Sequence, residues 1–189
     1  MVTLYLVRHG QTDANLAGIL QGHMDNPMNA AGVRQAEELR DRLVAEGFRA
    51  DVLLASDLRR TAEMAAILNA GLGLPLRLTA RLRERDWGEL TGRVAAKTDL
   101  SQFPASVETV EAMEARASGF LEQLCRDYDG RRVLAVTHGL FARCLQGVLA
   151  GKRIREIPPM GNGELRRVEV CCPPSGQCSR PAESGAADH

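Results

Sequence analysis

Short apolar runs recur along this chain, and their length and spacing predict the strands of a sheet. The runs at 4–7 and 133–136 are wholly apolar, which is typical of strands buried on both faces of a parallel sheet. The run at 51–56 is similar, and 165–171 alternates enough to be a last strand. The run at 74–79 contains a proline, which cannot donate to a ladder, so it is expected at an edge.

Between these runs, apolar residues repeat every three or four positions, which predicts helices. We expect helices between Asn29, a suitable N-cap, and Gly47, and over 58–70, 108–127 and 140–150. The segments 12–28 and 81–97 look irregular. The alternation of strands and helices predicts a layered α/β domain.

Composition narrows the class of protein. The 189 residues fit one domain, which we place at 1–172, and the Pro, Ser, Gly and Ala after it predict a disordered tail over 173–189. The net charge is zero, so no global field favours nucleic acid or an anionic membrane as a partner. No apolar stretch approaches the roughly 20 residues of a membrane span, and no signal peptide is recognised, so we expect a cytoplasmic protein.

Five cysteines are present, and reduced thiols are the expected state. Cys125 and Cys144 fall on predicted helices, where they would act as small buried hydrophobes. The cluster of Cys171, Cys172 and Cys178 does not have the paired spacing of a zinc site.

Candidate chemistry lies where two wholly apolar strands end. His9 and His138 each follow such a strand, and each precedes a glycine. The carboxyl ends of parallel strands meet at one edge of a sheet, where α/β proteins bind ligands. Arg8 adds a cation beside the first histidine. The other two histidines, His23 and His189, lie in a predicted loop and in the tail.

Phosphoryl transfer through histidine is one reaction that such a pair could perform. It needs a neutral imidazole as nucleophile, cations for the phosphoryl oxygens and an acid for the leaving oxygen. Arginines suit the second task because their planar forks match phosphate. The pair Arg59-Arg60 follows the strand at 51–56. The segment after 81 offers three carboxylates between which composition does not choose: Glu84, Asp86 and Glu89.

Four segments together resemble the histidine phosphatase superfamily, whose members are phosphoglycerate-mutase-like. The string Arg8-His9-Gly10-Gln11-Thr12 resembles its signature, and Ser56-Asp57-Leu58-Arg59-Arg60 resembles its Ser-x-Leu-x-Arg motif, with Arg60 as the matching arginine. The segment 82–92 resembles a motif that makes Glu84 the general acid. Asn15 and Gln21 match phosphate-pocket positions. The resemblance spans residues 3–170.

This resemblance implies a three-layer α/β/α sandwich with a central, mostly parallel sheet. It implies a phosphomonoesterase that needs neither metal nor cofactor and acts on a small phosphorylated metabolite, such as α-ribazole phosphate or a sugar phosphate. His9 would form a phosphohistidine, and Glu84 would protonate the leaving group. Arg8, Arg60, Asn15, Gln21 and His138 would hold the phosphate. A homodimer is left open.

Two alternatives remain. Phosphoglycerate mutases of this kind usually have Glu-Arg-His-Tyr-Gly where this chain has Glu84-Arg85-Asp86-Trp87-Gly88, which favours a hydrolase. A catalytically silent binding module would typically lack the nucleophile or an arginine. The connection between Gly92 and Glu108 is shorter than in many relatives, which predicts an open pocket with modest selectivity.

Overall fold

The computed structural model describes residues 1–172, which form a five-stranded sheet. The spatial order is β3-β2-β4-β1-β5. Four strands are parallel, and only β5 runs antiparallel, against β1. The strands are β1 (Val2–Arg8), β2 (Val52–Ala55), β3 (Leu76–Leu78), β4 (Arg132–Thr137) and β5 (Leu165–Val170). The mostly parallel sheet of the sequence analysis is confirmed, with β3 at an edge.

Helices cover both faces of the sheet, so the molecule has three layers. They are α1 (Asp13–Leu16), α2 (Ala30–Ala45), α3 (Arg59–Leu72), α4 (Val110–Tyr128) and α5 (Gly139–Ala150). Along β4, Val133 and Ala135 pack into the core beneath α4 and α5. Leu134 and Val136 pack into the opposite core, beneath α2 and α3. A strand buried on both faces has no polar positions, which explains the wholly apolar runs.

Helix boundaries follow local capping groups. The Asn29 side chain accepts a hydrogen bond from Gly32 N, so α2 begins directly after it, as predicted. Thr109 accepts from Ala112 N, and α4 therefore begins at Val110 rather than at 108. Within the predicted loop, Thr12 and Asn15 form a capping box around the short helix α1.

The expectation of reduced thiols is wrong for two cysteines, because Cys125 and Cys172 form a disulfide. Their Cα atoms lie 5.3 Å apart because the chain leaving β5 passes beside α4. The partners are 47 residues apart, so local spacing gave no signal. Cys144 is a buried free thiol, as predicted, and Cys171 is an exposed one. Cys178 and the predicted tail at 173–189 lie outside the described residues.

Residues 1–172 contain neither a metal-binding cluster nor a membrane-spanning helix. No group of three or more His, Cys, Asp or Glu side chains in this part of the chain is placed to hold a metal ion. Within the same range, no helix combines the length and hydropathy needed to cross a bilayer.

Candidate active site

The carboxyl ends of three adjacent parallel strands bring the candidate residues together. His9 follows β1, His138 follows β4 and Ser56 follows β2. Because Arg8 pairs with Thr137 in the ladder, the two histidines come directly after paired positions. Their ring centroids lie 5.2 Å apart, and both side chains are buried.

The His9 ring is neutral and is held in one tautomer. Its Nδ1 lies 2.7 Å from the carbonyl oxygen of Gly10, which can only accept, so Nδ1 carries the hydrogen. Burial lowers the pKa of His9 to about 3, and the charges of Arg60 and Arg8 add to this, while the Gly10 bond opposes it. The Nε2 lone pair is therefore available over the whole physiological pH range.

Glycines after each histidine make room for this arrangement. A Cβ atom on Gly10 would lie 2.4 Å from Gly32 O, so the start of α2 could not approach the end of β1. A Cβ on Gly139 would lie 3.1 Å from the Nε of Arg8. The sequence pattern of a glycine after each histidine thus reflects close packing around the site.

Backbone carbonyls hold the two arginines. Arg8 Nη1 donates to Met160 O at 2.7 Å. Arg60, which is 1% exposed, donates from Nη1 to Met24 O at 2.7 Å and from Nη2 to Gly22 O at 2.8 Å. Burial lowers the pKa of Arg60 to about 10, against an opposing effect of the nearby carboxylates. Both guanidinium groups therefore stay charged at neutral pH. Within 1–172, neither forms an ion pair with a carboxylate.

Three buried polar atoms have no hydrogen-bond partner within the described part of the chain. They are Arg8 Nε, Arg60 Nε and His138 Nδ1. Buried polar groups are rarely left unpaired, and two of these three belong to cations. An anion with several acceptor oxygens, such as a phosphate ester, matches this set of groups.

The Asn15 side chain is oriented by two N–H donors, Thr12 N and Asn162 Nδ2. Its Oδ1 accepts from Thr12 N at 3.0 Å, and it lies 3.0 Å from Thr12 Oγ1 and 3.3 Å from Asn162 Nδ2. Since a backbone N–H can only donate, the amide oxygen is assigned without ambiguity. The Asn15 NH₂ group is thereby left to a ligand. Gln21, 7% exposed, is held through Oε1 by Thr12 Oγ1 at 3.0 Å.

The Glu84 carboxylate lies at the amino terminus of α5, directly after His138. It accepts from Leu140 N at 3.1 Å and Phe141 N at 2.9 Å. A helix amino terminus favours a carboxylate. The charge of Glu84 also raises the pKa of both Arg8 and Arg60 against the effect of burial, which places it electrostatically within the site.

The competing residues lie differently. The Asp86 side chain is half exposed and bonds Gly88 N, while Glu89 is exposed beside Ser106. Arg59 is exposed and pairs with Glu63 at 2.8 Å. The structure therefore brings Arg8, His9, Arg60, Glu84 and His138 to one edge of the sheet, and leaves Arg59, Asp86 and Glu89 outside.

Sequence reasoning missed three residues that hold the site. Ser56 Oγ lies 3.0 Å from His138 Nε2, and Asn162 Nδ2 donates to His9 O at 2.9 Å. Arg116 donates to the carbonyls of Arg81, Arg83 and Glu84, and pairs with Glu108. Only Ser56 stood within a recognised motif. Asn162 and Arg116 are 153 and 32 residues from the groups that they hold, beyond any local pattern.

The fold and the site define an α/β protein with a neutral histidine and two charged arginines at the carboxyl edge of its sheet. The family model of the histidine phosphatase superfamily (branch 1) matches residues 4–171. The chain belongs to this superfamily.

Named relatives include both phosphatases and mutases. The chain is 34% identical over 155 residues to uncharacterized phosphatase PhoE of Bacillus subtilis (strain 168), covering 80% of this chain and 79% of the relative. It is 31% identical over 166 residues to a protein named "probable phosphoglycerate mutase GpmB" of Enterobacter sp. (strain 638), covering 80% and 76%.

Solved structures show the same fold. Bacillus stearothermophilus YhfR superposes with a TM-score of 0.82 at 26% identity, covering 90% of this chain and 92% of that one. The alpha-ribazole phosphatase from Shigella flexneri superposes with a TM-score of 0.77, covering 88% and 90%. At 23% identity, the second likeness concerns the fold alone.

Proposed function

We propose that this protein is a metal-independent phosphomonoesterase that hydrolyses a small phosphorylated metabolite through a phosphohistidine on His9. One observation carries the proposal: the Gly10 carbonyl holds the His9 proton on Nδ1, which leaves Nε2 unprotonated near the buried Arg60 and the partly buried Arg8. A nucleophile of this kind needs charge neutralisation at the phosphoryl oxygens, and Arg8 and Arg60 supply two full positive charges.

The first step forms the phosphoenzyme. Nε2 of His9 attacks phosphorus and forms a P–N bond. At the same time the bond from phosphorus to the ester oxygen breaks, and the electron pair of that bond goes to the leaving oxygen. Glu84 in its protonated form gives that oxygen a proton, so the alcohol leaves neutral. Arg8, Arg60, His138 and the Asn15 amide donate to the non-bridging oxygens.

The second step returns the enzyme to its starting state. The Glu84 carboxylate takes a proton from a water molecule, whose oxygen attacks phosphorus. The bond from phosphorus to Nε2 breaks, and the electron pair returns to the ring. The products are free alcohol and inorganic phosphate, and Glu84 again carries a proton for the next cycle.

A phosphoglycerate mutase is the second candidate, supported by the similarity to GpmB. Two observations favour hydrolysis. The relative with the higher identity is named a phosphatase. The position where the mutases usually have a histidine is Asp86 here, a half-exposed carboxylate that bonds Gly88 N.

A substrate panel tests the proposal. Protein dialysed against a strong chelator is incubated with sugar phosphates, α-ribazole phosphate and phosphoglycerates, with and without 2,3-bisphosphoglycerate. We expect phosphate release that needs no added metal and is absent from His9→Asn. Interconversion of phosphoglycerates without net phosphate release would support the mutase instead, and activity restored only by a metal would refute the metal-independent mechanism.

Location and assembly belong to the same proposal. A cytoplasmic location would place the protein with phosphorylated metabolites, and we propose no nucleic-acid or membrane partner. A homodimer is supported by the edge strand β3, where Leu76 and Leu78 are 39% and 52% exposed. Cell fractionation and sedimentation equilibrium test the two statements separately.

A further inference from the structure

Ser56 and His138 form a buried pair whose role the reaction scheme does not explain. Both residues are 0% exposed, and Ser56 Oγ lies 3.0 Å from His138 Nε2. The strands before them are neighbours in the sheet, with Ala55 opposite Val136. Each side chain is therefore fixed at the end of a strand, and the contact is set by the ladder.

We propose that Ser56 is a positioning residue that holds His138 in the tautomer with its proton on Nδ1, so that Nδ1–H donates to the substrate phosphoryl group. Donation from Nδ1–H to a phosphoryl group rests on the proposed function. The tautomer is a property of the free protein.

The choice between tautomers matters because the His138 ring is neutral. Burial lowers its pKa well below the ordinary value, and the charge of Arg60 adds to this effect. A neutral imidazole has one N–H donor and one acceptor nitrogen. The tautomer therefore decides which of the two nitrogens can donate.

The available hydrogen-bond partners favour one tautomer of His138. If Nε2 carried the proton and donated to Ser56 Oγ, the buried Ser56 hydroxyl hydrogen would have no acceptor within residues 1–172, and Nδ1 would be a buried lone pair without a donor. If Nδ1 carries the proton, the Ser56 hydroxyl donates to Nε2, and only Nδ1–H is left over. Unpaired buried polar groups are costly, so the second arrangement is favoured.

The surroundings of Ser56 support this direction of donation. Leu58 N donates to Ser56 Oγ at 3.4 Å, which uses an acceptor site of the hydroxyl and leaves its hydrogen for His138. Thr61 Oγ1 lies 3.0 Å from Ser56 O and 2.6 Å from Leu58 O, which ties the turn to the start of α3.

The selected tautomer completes a consistent set of donors. In this state the three unpartnered buried atoms, Arg8 Nε, Arg60 Nε and His138 Nδ1, are all N–H donors. In the other tautomer, Nδ1 would present a lone pair to a phosphoryl oxygen, and two acceptors would repel each other. Ser56 therefore acts on the phosphate through His138, without touching it.

Nitrogen-15 NMR of histidine-labelled protein tests the inference on the resting enzyme. In the full-length wild type we expect His138, assigned by comparison with His138→Gln, to be neutral with Nδ1 protonated. Ser56→Ala should shift the population towards the Nε2-protonated form and weaken binding of vanadate by about 10- to 100-fold. The control Thr61→Val removes a neighbouring buried hydroxyl that does not contact His138, and it should leave the tautomer unchanged.

The outcomes separate this inference from the proposed function. A wild-type His138 protonated on Nε2 would overturn the inference, and this result does not depend on whether Ser56→Ala folds. An unchanged tautomer in Ser56→Ala would also overturn it. If the tautomers behave as expected but no monoester is hydrolysed, the proposed function fails, and the role of Ser56 in orienting His138 stands.

Discussion

At the scale of single residues, the positive charge of the site depends on which groups accept hydrogen bonds from Arg8 and Arg60. Carbonyl oxygens of Gly22, Met24 and Met160 accept from Arg60 and Arg8, and carbonyls carry no charge. A carboxylate in their place would neutralise each guanidinium. The arginines are thus oriented at full charge, which favours an anionic ligand in a buried pocket.

Arg60→Lys tests this orientation. An ammonium group lacks the fork that spans the two carbonyls of Gly22 and Met24, so one carbonyl would lose its donor and the charge would move. We expect a loss of about 100-fold or more in kcat/KM, in the range seen when one oxyanion donor is removed. The neighbouring exposed residue provides the control, since Arg59→Lys should have little effect. Equal losses in the two variants would contradict the placement of Arg60 in the site.

Glu84→Gln tests the proton donor. Alkyl phosphates release a strongly basic alkoxide that needs a proton, whereas nitrophenolate leaves readily as an anion. We expect the variant to lose far more kcat on alkyl phosphates than on nitrophenyl phosphate. Asp86→Asn and Glu89→Gln are the controls, and neither should show this selectivity. An equal loss on both substrate types in Glu84→Gln would assign the acid to another group.

Residue types and motifs predicted those site residues that stand at strand ends or within short motifs, but not the contacts between distant segments. Arg8, His9, Arg60, Glu84 and His138 stand at strand ends or within recognised motifs, and the structure brings them together. Asn162 contacts Asn15, and Arg116 donates to the Glu84 carbonyl, but no sequence pattern near these residues predicts either contact. These contacts exist only once the sheet has placed distant loops side by side.

At the scale of elements, the loop after β1 and the short connection after Gly92 form one unit. Leu20 N donates to Arg93 O at 2.9 Å, and Gly92 N donates to Leu20 O at 2.9 Å. An isolated antiparallel bridge joins Ile19 to Val94. Both segments looked irregular in the sequence, because pairing between residues so far apart leaves no periodicity. The modest selectivity expected from this short connection stays a prediction.

The single tryptophan belongs to the same region. Arg85 Cζ lies 4.7 Å from the centre of the Trp87 ring and 4.6 Å from that of Phe103. Arg85 is thus enclosed by two aromatic rings directly after the proposed acid. This agrees with packing, rather than substrate stacking, as the role of Trp87.

The disulfide gives a prediction about how two elements are joined. Cys125 lies on α4, and Cys172 follows β5, so the bond closes a loop of 47 residues. Cys172→Ser should lower the free energy of unfolding by about 2–4 kcal/mol in non-reducing buffer. The adjacent free thiol gives a matched control, because Cys171→Ser should be close to neutral. If reductant destabilises the wild type no more than it destabilises Cys172→Ser, the bond does not contribute in solution.

At the scale of the whole molecule, two buried neutral histidines make stability depend on pH. Burial lowers the pKa of His9 to about 3, and that of His138 well below 6.5, its ordinary value. Between pH 6.5 and about 3 the unfolded chain therefore binds more protons than the folded one. Stability must then fall as the pH falls, with a slope that approaches about 1.4 kcal/mol per pH unit for a histidine that is protonated only in the unfolded chain.

Chemical denaturation between pH 6.5 and 4.5 measures this effect, and comparison with His9→Gln separates it from the carboxylates, which begin to titrate at the acid end of this window. Over these two units, the His9 contribution alone is about 2 kcal/mol, because the unfolded histidine is only half protonated at pH 6.5. His9→Gln should show a shallower decline than the wild type, because one of the two buried groups no longer titrates. A decline of equal slope would mean that His9 is not neutral in the folded state.

The strands, the helices and their arrangement could be predicted from the sequence more fully than the contacts within the site. Wholly apolar runs such as 133–136 identify strands buried on both faces, and alternation with helical patterns then leaves few topologies. The pairing of Cys125 with Cys172 could not be predicted, because its partners are 47 residues apart and share no local pattern. It depends on where the chain passes after β5, which no local pattern specifies.

Rapid-quench trapping shows whether the phosphoryl group is transferred covalently to His9. Protein is mixed with a ³²P-labelled monoester that it hydrolyses, quenched in alkali and mapped by proteolysis. We predict an alkali-stable, acid-labile label of up to one phosphoryl group per chain on the peptide that contains His9, and none in His9→Asn. Rapid hydrolysis with no label at any quench time, or label on another residue, would exclude a phosphohistidine intermediate on His9.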